Sequence, residues 1–191
     1  MNKPPTSIIT QAVAIPFIIA GVLIVFLTME NQPESAQYSI VMPLAYLLGC
    51  ISWGYILLQL KLGVDVREYG SGRTGMSNVL RTGGGKSAAV VLALDMGKGV
   101  LAVVLARVVI GTTTAEVSAA LAVLIGHNWP VFLQFKGGRG ILTALGGLVI
   151  MAPIAAIIAT AAFLTITGFS KYISLGSVIG VIIGALAVLG L

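Results

Sequence analysis

Residues 7–28 read SIITQAVAIPFIIAGVLIVFLT, an apolar run without a single charged side chain. About 20 predominantly apolar residues suffice for a helix to cross the ~30 Å hydrocarbon core of a bilayer, so this run is long enough to span one. It is longer than a signal-peptide core, and no convincing small-residue cleavage pattern follows it, so it reads as a retained helix. Working outward, similar runs recur at 38–60, 88–110, 116–135, 141–169 and 173–191. The 141–169 stretch is too long for one upright helix, and Pro153, which removes a backbone donor and clashes with the preceding turn, divides it. The expected fold is therefore all-α: one polytopic integral membrane domain of about seven transmembrane or partly spanning helices.

Composition agrees. Of 191 residues, 58% are hydrophobic and 9% charged, with a mean hydropathy of +1.06, against about 25% charge in ordinary soluble domains. A soluble globular enzyme is excluded. The net charge of +5 sits in a few short loops, a pattern of membrane orientation and anion binding that argues against nucleic acid as a partner. A single cysteine, Cys50, rules out an internal disulfide, and a single histidine, His127, argues against a zinc site, so no metal site is expected. Lys3, the basic stretch 61–87, the loop 136–140 and Lys171 fall on one side of the alternating spans. The acidic 29–37 loop and the GTTTAE turn fall on the other. The positive-inside rule then turns the Gly/basic loops to the cytoplasm and places Leu191 on the outer face.

The most polar stretch, residues 61–87, reads KLGVDVREYGSGRTGMSNVLRTGGGKS. It is expected to form a loop with chemistry in it. Gly70, Gly72 and Gly75 expose backbone N–H groups, Ser71, Thr74 and Ser77 supply hydroxyls, Asn78 an amide, and Arg73 and Arg81 guanidinium groups. These are phosphate-binding parts. Orientation charge combined with flexible turns is the competing reading. Gly85-Lys86-Ser87 is not a nucleotide loop, because Leu80 stands where that motif needs its first glycine. Lys136-Gly137-Gly138-Arg139-Gly140 brackets a glycine pair with cations and suggests a second anion site, with a tight interhelical connection as its alternative. Two such sites facing one compartment suit a reaction between two phosphorylated molecules.

Asp95 and Lys98 share a helical face at the (i, i+3) spacing inside a span, where an unpaired charge is costly. They are expected to pair as structural glue, some distance below the 61–87 loop. His127, in Gly126-His127-Asn128-Trp129-Pro130, reads as a helix tie ahead of a general base; the acyltransferase pattern H-x-x-x-x-D fails, since Phe132 occupies its last place. Gly146, Gly147, Gly176, Gly180 and Gly184 read as close-packing positions.

Four segments taken in order, GCISWGYI (49–56), YGSGRTGMSNVLR with the following GGGK (69–86), LDMGKG (94–99) and GHNWPVFLQFKGGRG (126–140), together with KYISLGS (171–177), resemble the acyl-phosphate:glycerol-3-phosphate acyltransferases of bacterial membranes. The resemblance covers about 45–191. It divides the chain into an additional N-terminal helix with an acidic outer loop, residues 1–37, and an acyltransferase membrane domain, residues 38–191. It implies an enzyme of the bacterial cytoplasmic membrane that makes 1-acyl-glycerol 3-phosphate for phospholipid synthesis. Its partners are acyl phosphate, glycerol 3-phosphate and membrane lipids, and no metal or organic cofactor is implied. Carried across by position, the family's functional serine and arginine fall on Ser71 and Arg81, and its phosphate motif on Lys136, Gly137, Gly138, Arg139 and Gly140. This chain departs from the family pattern at Cys50, Ser52, Arg73, Met76-Ser77 and Arg139. The family's third cytoplasmic motif, which follows one more helix, has no counterpart up to Leu191. A non-catalytic or fragmentary membrane protein binding phosphorylated lipids or metabolites is the alternative.

Overall fold

A computed structural model describes residues 5–29 and 31–190. Lys3, used above to assign sides, and Leu191, assigned above to the outer face, lie outside them. The described residues form eight α-helices and two single 3-10 turns: α1 (Thr6–Thr28), α2 (Glu34–Cys50), α3 (Trp53–Leu62), α4 (Met76–Val109), α5 (Thr113–Asn128), α6 (Ile141–Met151), α7 (Pro153–Ser170) and α8 (Ile173–Gly190). The 3-10 turns are Val66–Glu68 and Val131–Leu133. Among the described residues six stretches, counting α2 with α3 as one, are long and apolar enough to cross a membrane. The chain is an all-α polytopic membrane protein. Helix α6, with 11 residues, rises only about 16 Å and is too short to span alone. The break before α7 falls at Pro153, which occupies the first turn of that helix, where its missing N–H is harmless.

Several sequence expectations are redrawn. The second run is not one helix: Ile51 and Ser52 leave helical geometry and separate α2 from α3. Such a break orphans carbonyls at the end of α2, and in a bilayer they need a donor from inside the protein. Lys98 supplies it, donating from Nζ to the carbonyls of Gly49 (3.0 Å) and Ile51 (2.8 Å). Gln11 of α1 accepts from Ser52 N at 3.0 Å. The polar loop is also shorter than 61–87. It covers 63–75, because α4 begins at Met76, and the glycine run 83–85 lies inside that helix as a kink at Gly84 (φ 77°). The acidic linker likewise shrinks, since Glu34 already belongs to the first turn of α2.

Close helix packing follows from glycine. A methyl group on Gly49 or Gly126 would strike backbone at the α2–α5 crossing, and one on Gly99 or Gly146 would strike backbone at α4–α6. Gly176, Gly180 and Gly184 are buried against α7 in the same manner, and a methyl on Gly147 would press on Val103. Small residues at such seams let backbones approach in a solvent that offers no hydrophobic drive between helices. The largest apolar cluster, including Val41, Leu48, Leu105, Ala119 and Val123, joins α1, α2, α4 and α5. At one end of the bundle Arg107 pairs with Glu116 through two 2.8 Å hydrogen bonds and donates to the Ile150 carbonyl (2.9 Å), tying α4, α5 and α6. The glycine-bearing polar loops gather at the opposite end.

Candidate active site

The first loop is folded around Asn78. This side chain is almost fully buried in the first turns of α4; its Nδ2 donates to the carbonyls of Val66 (2.8 Å), Tyr69 (2.9 Å) and Arg73 (2.8 Å), and its Oδ1 accepts from Ser71 N (3.1 Å). Its Nδ2 is fully committed to the loop, so Asn78 organises the residues around it. Gly70 (φ 54°) turns the chain where a methyl group would overlap Asn78 Oδ1. Gly72 follows, also at positive φ, and Gly75 caps α4 without a side chain on the cap. The first amides of α4 are therefore left open at the positive end of its dipole. Ser71 and Arg81 are exposed, and the Arg81 stem runs beside Gly70. No partner within the described residues satisfies the Arg73 or Arg81 guanidinium group.

The second loop follows the 3-10 turn that succeeds α5. Gln134 (φ 54°) and Phe135 (φ 61°) adopt left-handed geometry and reverse the chain. Gly137 N donates to Asn128 O (3.2 Å) and Gly138 N to His127 O (3.0 Å), so these two amides are committed to the end of α5. Their role is steric: a methyl on Gly137 would overlap the His127 carbonyl, and one on Gly138 would overlap the His127 ring. The exposed cations Lys136 and Arg139 carry no protein partner within the described residues, and Gly140 opens α6 without a side-chain cap.

Beneath this loop lies the buried polar cluster. Lys98 Nζ stands 3.1 Å from Asp95 Oδ1, and His127 Nδ1 lies 3.6 Å from the same oxygen and 3.3 Å from Thr143 Oγ1. Asp95 and Lys98 do pair, as the spacing suggests. The tertiary fold adds His127, and through it the pair reaches the 136–140 loop.

The two loops meet at Arg67, which the sequence reading counted only as loop charge. Its guanidinium group grips Asp65 (Nε–Oδ1 3.0 Å, Nη2–Oδ2 2.6 Å), donates from Nη1 to the Leu133 carbonyl (3.1 Å), and lies 5.3 Å from the centre of the Tyr55 ring. Burial pushes the Asp65 carboxyl up, but the Arg67 hydrogen bonds outweigh it and hold the group below the usual carboxylate range. The Asp-x-Arg spacing was the available sequence signal; Tyr55 and Leu133 were invisible to it. A cleft of about 280 Å³ opens at this junction, lined by Asp65, Arg67, Glu68, Gly72, Gln134 and Lys136. Both loops thus contribute to one cleft.

The fold and site define a multi-pass membrane protein with two polar, cation-bearing loops around a shared cleft. A model of the glycerol-3-phosphate acyltransferase family matches residues 39–191. A glycerol-3-phosphate acyltransferase of Thermoanaerobacter pseudethanolicus is 48% identical over 137 residues, 72% of this chain and 69% of the relative. Glycerol-3-phosphate acyltransferase 3 of Dehalococcoides mccartyi is 46% identical, covering 81% of this chain and 76% of its own. Crystal structures of PlsY (YgiH), an integral membrane glycerol 3-phosphate acyltransferase, superpose with a TM-score of 0.75 in the glycerol 3-phosphate form at 36% identity. The lysophosphatidic acid form gives 0.73 at 35%, and both superpositions cover 80% of this chain and 76% of PlsY. The chain belongs to the glycerol-3-phosphate acyltransferase family. Helix α1 precedes the part that the family model matches.

Proposed function

We propose that this protein transfers an acyl group from acyl phosphate to the sn-1 hydroxyl of glycerol 3-phosphate, giving 1-acyl-glycerol 3-phosphate and phosphate, with the chemistry at the cleft between its two loops. The observation that carries this reading is the convergence of Gly72 and Lys136, from loops 64 positions apart, on one cleft in a chain of this family. Ser71, Arg81 and the open start of α4, with Gly70, Gly72 and Gly75 shaping the backbone around them, hold the phosphate oxygens of one substrate. Lys136, Arg139 and the open start of α6 at Gly140 hold the other, on a floor shaped by Gly137 and Gly138. Glycerol 3-phosphate is assigned to this second loop.

An acyl phosphate is a mixed anhydride with a good leaving group, so positioning and charge neutralisation are sufficient catalysis. The sn-1 oxygen attacks the acyl carbon and the carbon–oxygen bond to phosphate breaks. The departing phosphate accepts the hydroxyl proton, so no side chain is needed as base. The loops face the cytoplasm in this reading: Arg73, Arg81, Lys86, Lys136 and Arg139 lie at the loop end, whereas Arg107 at the other end is neutralised by Glu116. Residues 1–37, which carry the added helix α1 and the first turn of α2, precede the acyltransferase domain, 38–191.

The test is product formation by purified protein in lipid given palmitoyl phosphate and glycerol 3-phosphate, with palmitoyl-CoA in parallel. Lysophosphatidic acid from the acyl phosphate alone is expected. Absence of product in folded protein that still binds glycerol 3-phosphate favours a non-catalytic relative. Arg81→Ala is expected to lower turnover by orders of magnitude, and near-wild-type transfer removes Arg81 from the mechanism.

A further inference from the structure

Arg67 touches neither set of free cations, yet its guanidinium group is the point at which the two loops are joined. Three of its bonds and its stacking face are already committed: Nε and Nη2 to Asp65 in the first loop, Nη1 to the Leu133 carbonyl at the entrance of the second, and the plane to Tyr55 of α3. Tyr55 is itself buried, and its hydroxyl bonds to Ser7 of α1. The clamp therefore rests on a helix that precedes the part of the chain matched by the family model. With three donors and its plane held by the protein, the Arg67 guanidinium is fixed in place at the edge of the cleft, and it lends that fixed geometry to both loops. A planar fork with fixed donor directions sets a separation, which the single flexible ammonium of lysine does not.

We propose that Arg67 is a positioning residue: by bonding Asp65 and the Leu133 carbonyl at once, it fixes the gap between the two loops, so that the acyl carbon held by one meets the hydroxyl held by the other. This rests on the two-loop reading of the site. When two reactants occupy separate supports, misplacement by about 1 Å can cost about 10²-fold in rate. Each loop keeps its own cations, so loosening the gap affects the encounter and leaves the individual binding sites intact.

The experiment is steady-state kinetics and glycerol 3-phosphate binding on Arg67→Lys and Arg67→Gly in lipid, with free guanidinium added to the glycine variant. For Arg67→Lys the expected result is a kcat lowered roughly 10- to 100-fold, KM for each substrate within about twofold, and an unchanged number of glycerol 3-phosphate sites per protein. Guanidinium is expected to restore part of the kcat of Arg67→Gly. Wild-type kcat in Arg67→Lys overturns the proposal. So does a loss of binding sites in proportion to the loss of turnover in Arg67→Lys, which assigns the residue to folding instead. Lys136→Ala in parallel separates the two levels of inference: wild-type kinetics there removes the two-loop reading itself, while impaired Lys136→Ala beside normal Arg67→Lys removes the clamp alone.

Discussion

Gly138→Ala should be a severe lesion through a side chain that never meets the substrate. The added methyl group lies 2.9 Å from His127 Cδ2 and 3.0 Å from Cε1, closer still to Nε2, whereas ordinary contact begins at 3.4 Å. The ring has no easy retreat. Its far side faces Asp95 and Thr143, and the histidine is only 5% exposed. The strain is therefore passed to the 136–140 loop, which must lift by about 1 Å at an overpacking cost of about 1–3 kcal/mol. With the loop carrying Lys136 and Arg139, a displacement of that size should lower kcat/KM for glycerol 3-phosphate by about 10²-fold. The assay is lysophosphatidic acid formation in lipid at varied glycerol 3-phosphate, for Gly138→Ala and for the double variant with His127→Asn. Asparagine is shorter than histidine yet keeps a polar group facing Asp95, so the double variant should recover at least about tenfold over Gly138→Ala. Wild-type kcat/KM in the single variant, or a double variant no better than it, refutes this packing argument.

Lys98→Ala leaves the Asp95 carboxylate without its counter-ion and two helix-end carbonyls without their donor; removing one partner of a buried pair costs about 3–5 kcal/mol, so yield and thermal stability in lipid should fall sharply. The double variant Asp95→Asn/Lys98→Met should be more stable than Lys98→Met alone, since both lack the donor to the α2 carbonyls and only the single change strands a buried carboxylate; an equal or lower midpoint argues against the ion pair as the cause. Asn78→Ala unties Ser71, Val66, Tyr69 and Arg73 together, and limited proteolysis should then cut between 63 and 75, where the parent protein resists. The Asp65–Arg67 pair should be indifferent to pH across the neutral range. Because the folded carboxyl is held below its ordinary value, its stabilisation is fully present above the unfolded aspartate pKa and is lost as pH falls through the folded one. The thermal midpoint of the parent minus that of Asp65→Asn should therefore stay flat between about pH 5 and 8 and shrink only in stronger acid.

Local hydropathy and local punctuation were legible in the sequence alone. The apolar runs, the division at Pro153, the seam glycines of α6 and α8, and the Asp95–Lys98 spacing each depend on neighbours a few positions away, and a bilayer makes that dependence strict by forbidding unsatisfied backbone. The family motifs also marked both loops. The break between α2 and α3 was not legible, because its stability comes from Lys98, 47 positions beyond Ile51. Nor was the true start of α4, since glycine and polar residues that disfavour a helix in isolation are held in one by Asn78 and by packing on α3.

What the sequence determined by itself is thus the class of molecule, the apolar runs that cross the bilayer, and the two stretches that carry its cations. Tertiary structure alone decided which of those residues face the cleft and which support it: Asn78 turned inward, the amides of Gly137 and Gly138 were taken by α5 carbonyls, and Arg67 became the bridge from Asp65 to Leu133. The physical reason is that a hydrogen bond depends on distance and direction in space. Residues 67 and 133 acquire both only when α3 and α5 are packed into the same bundle.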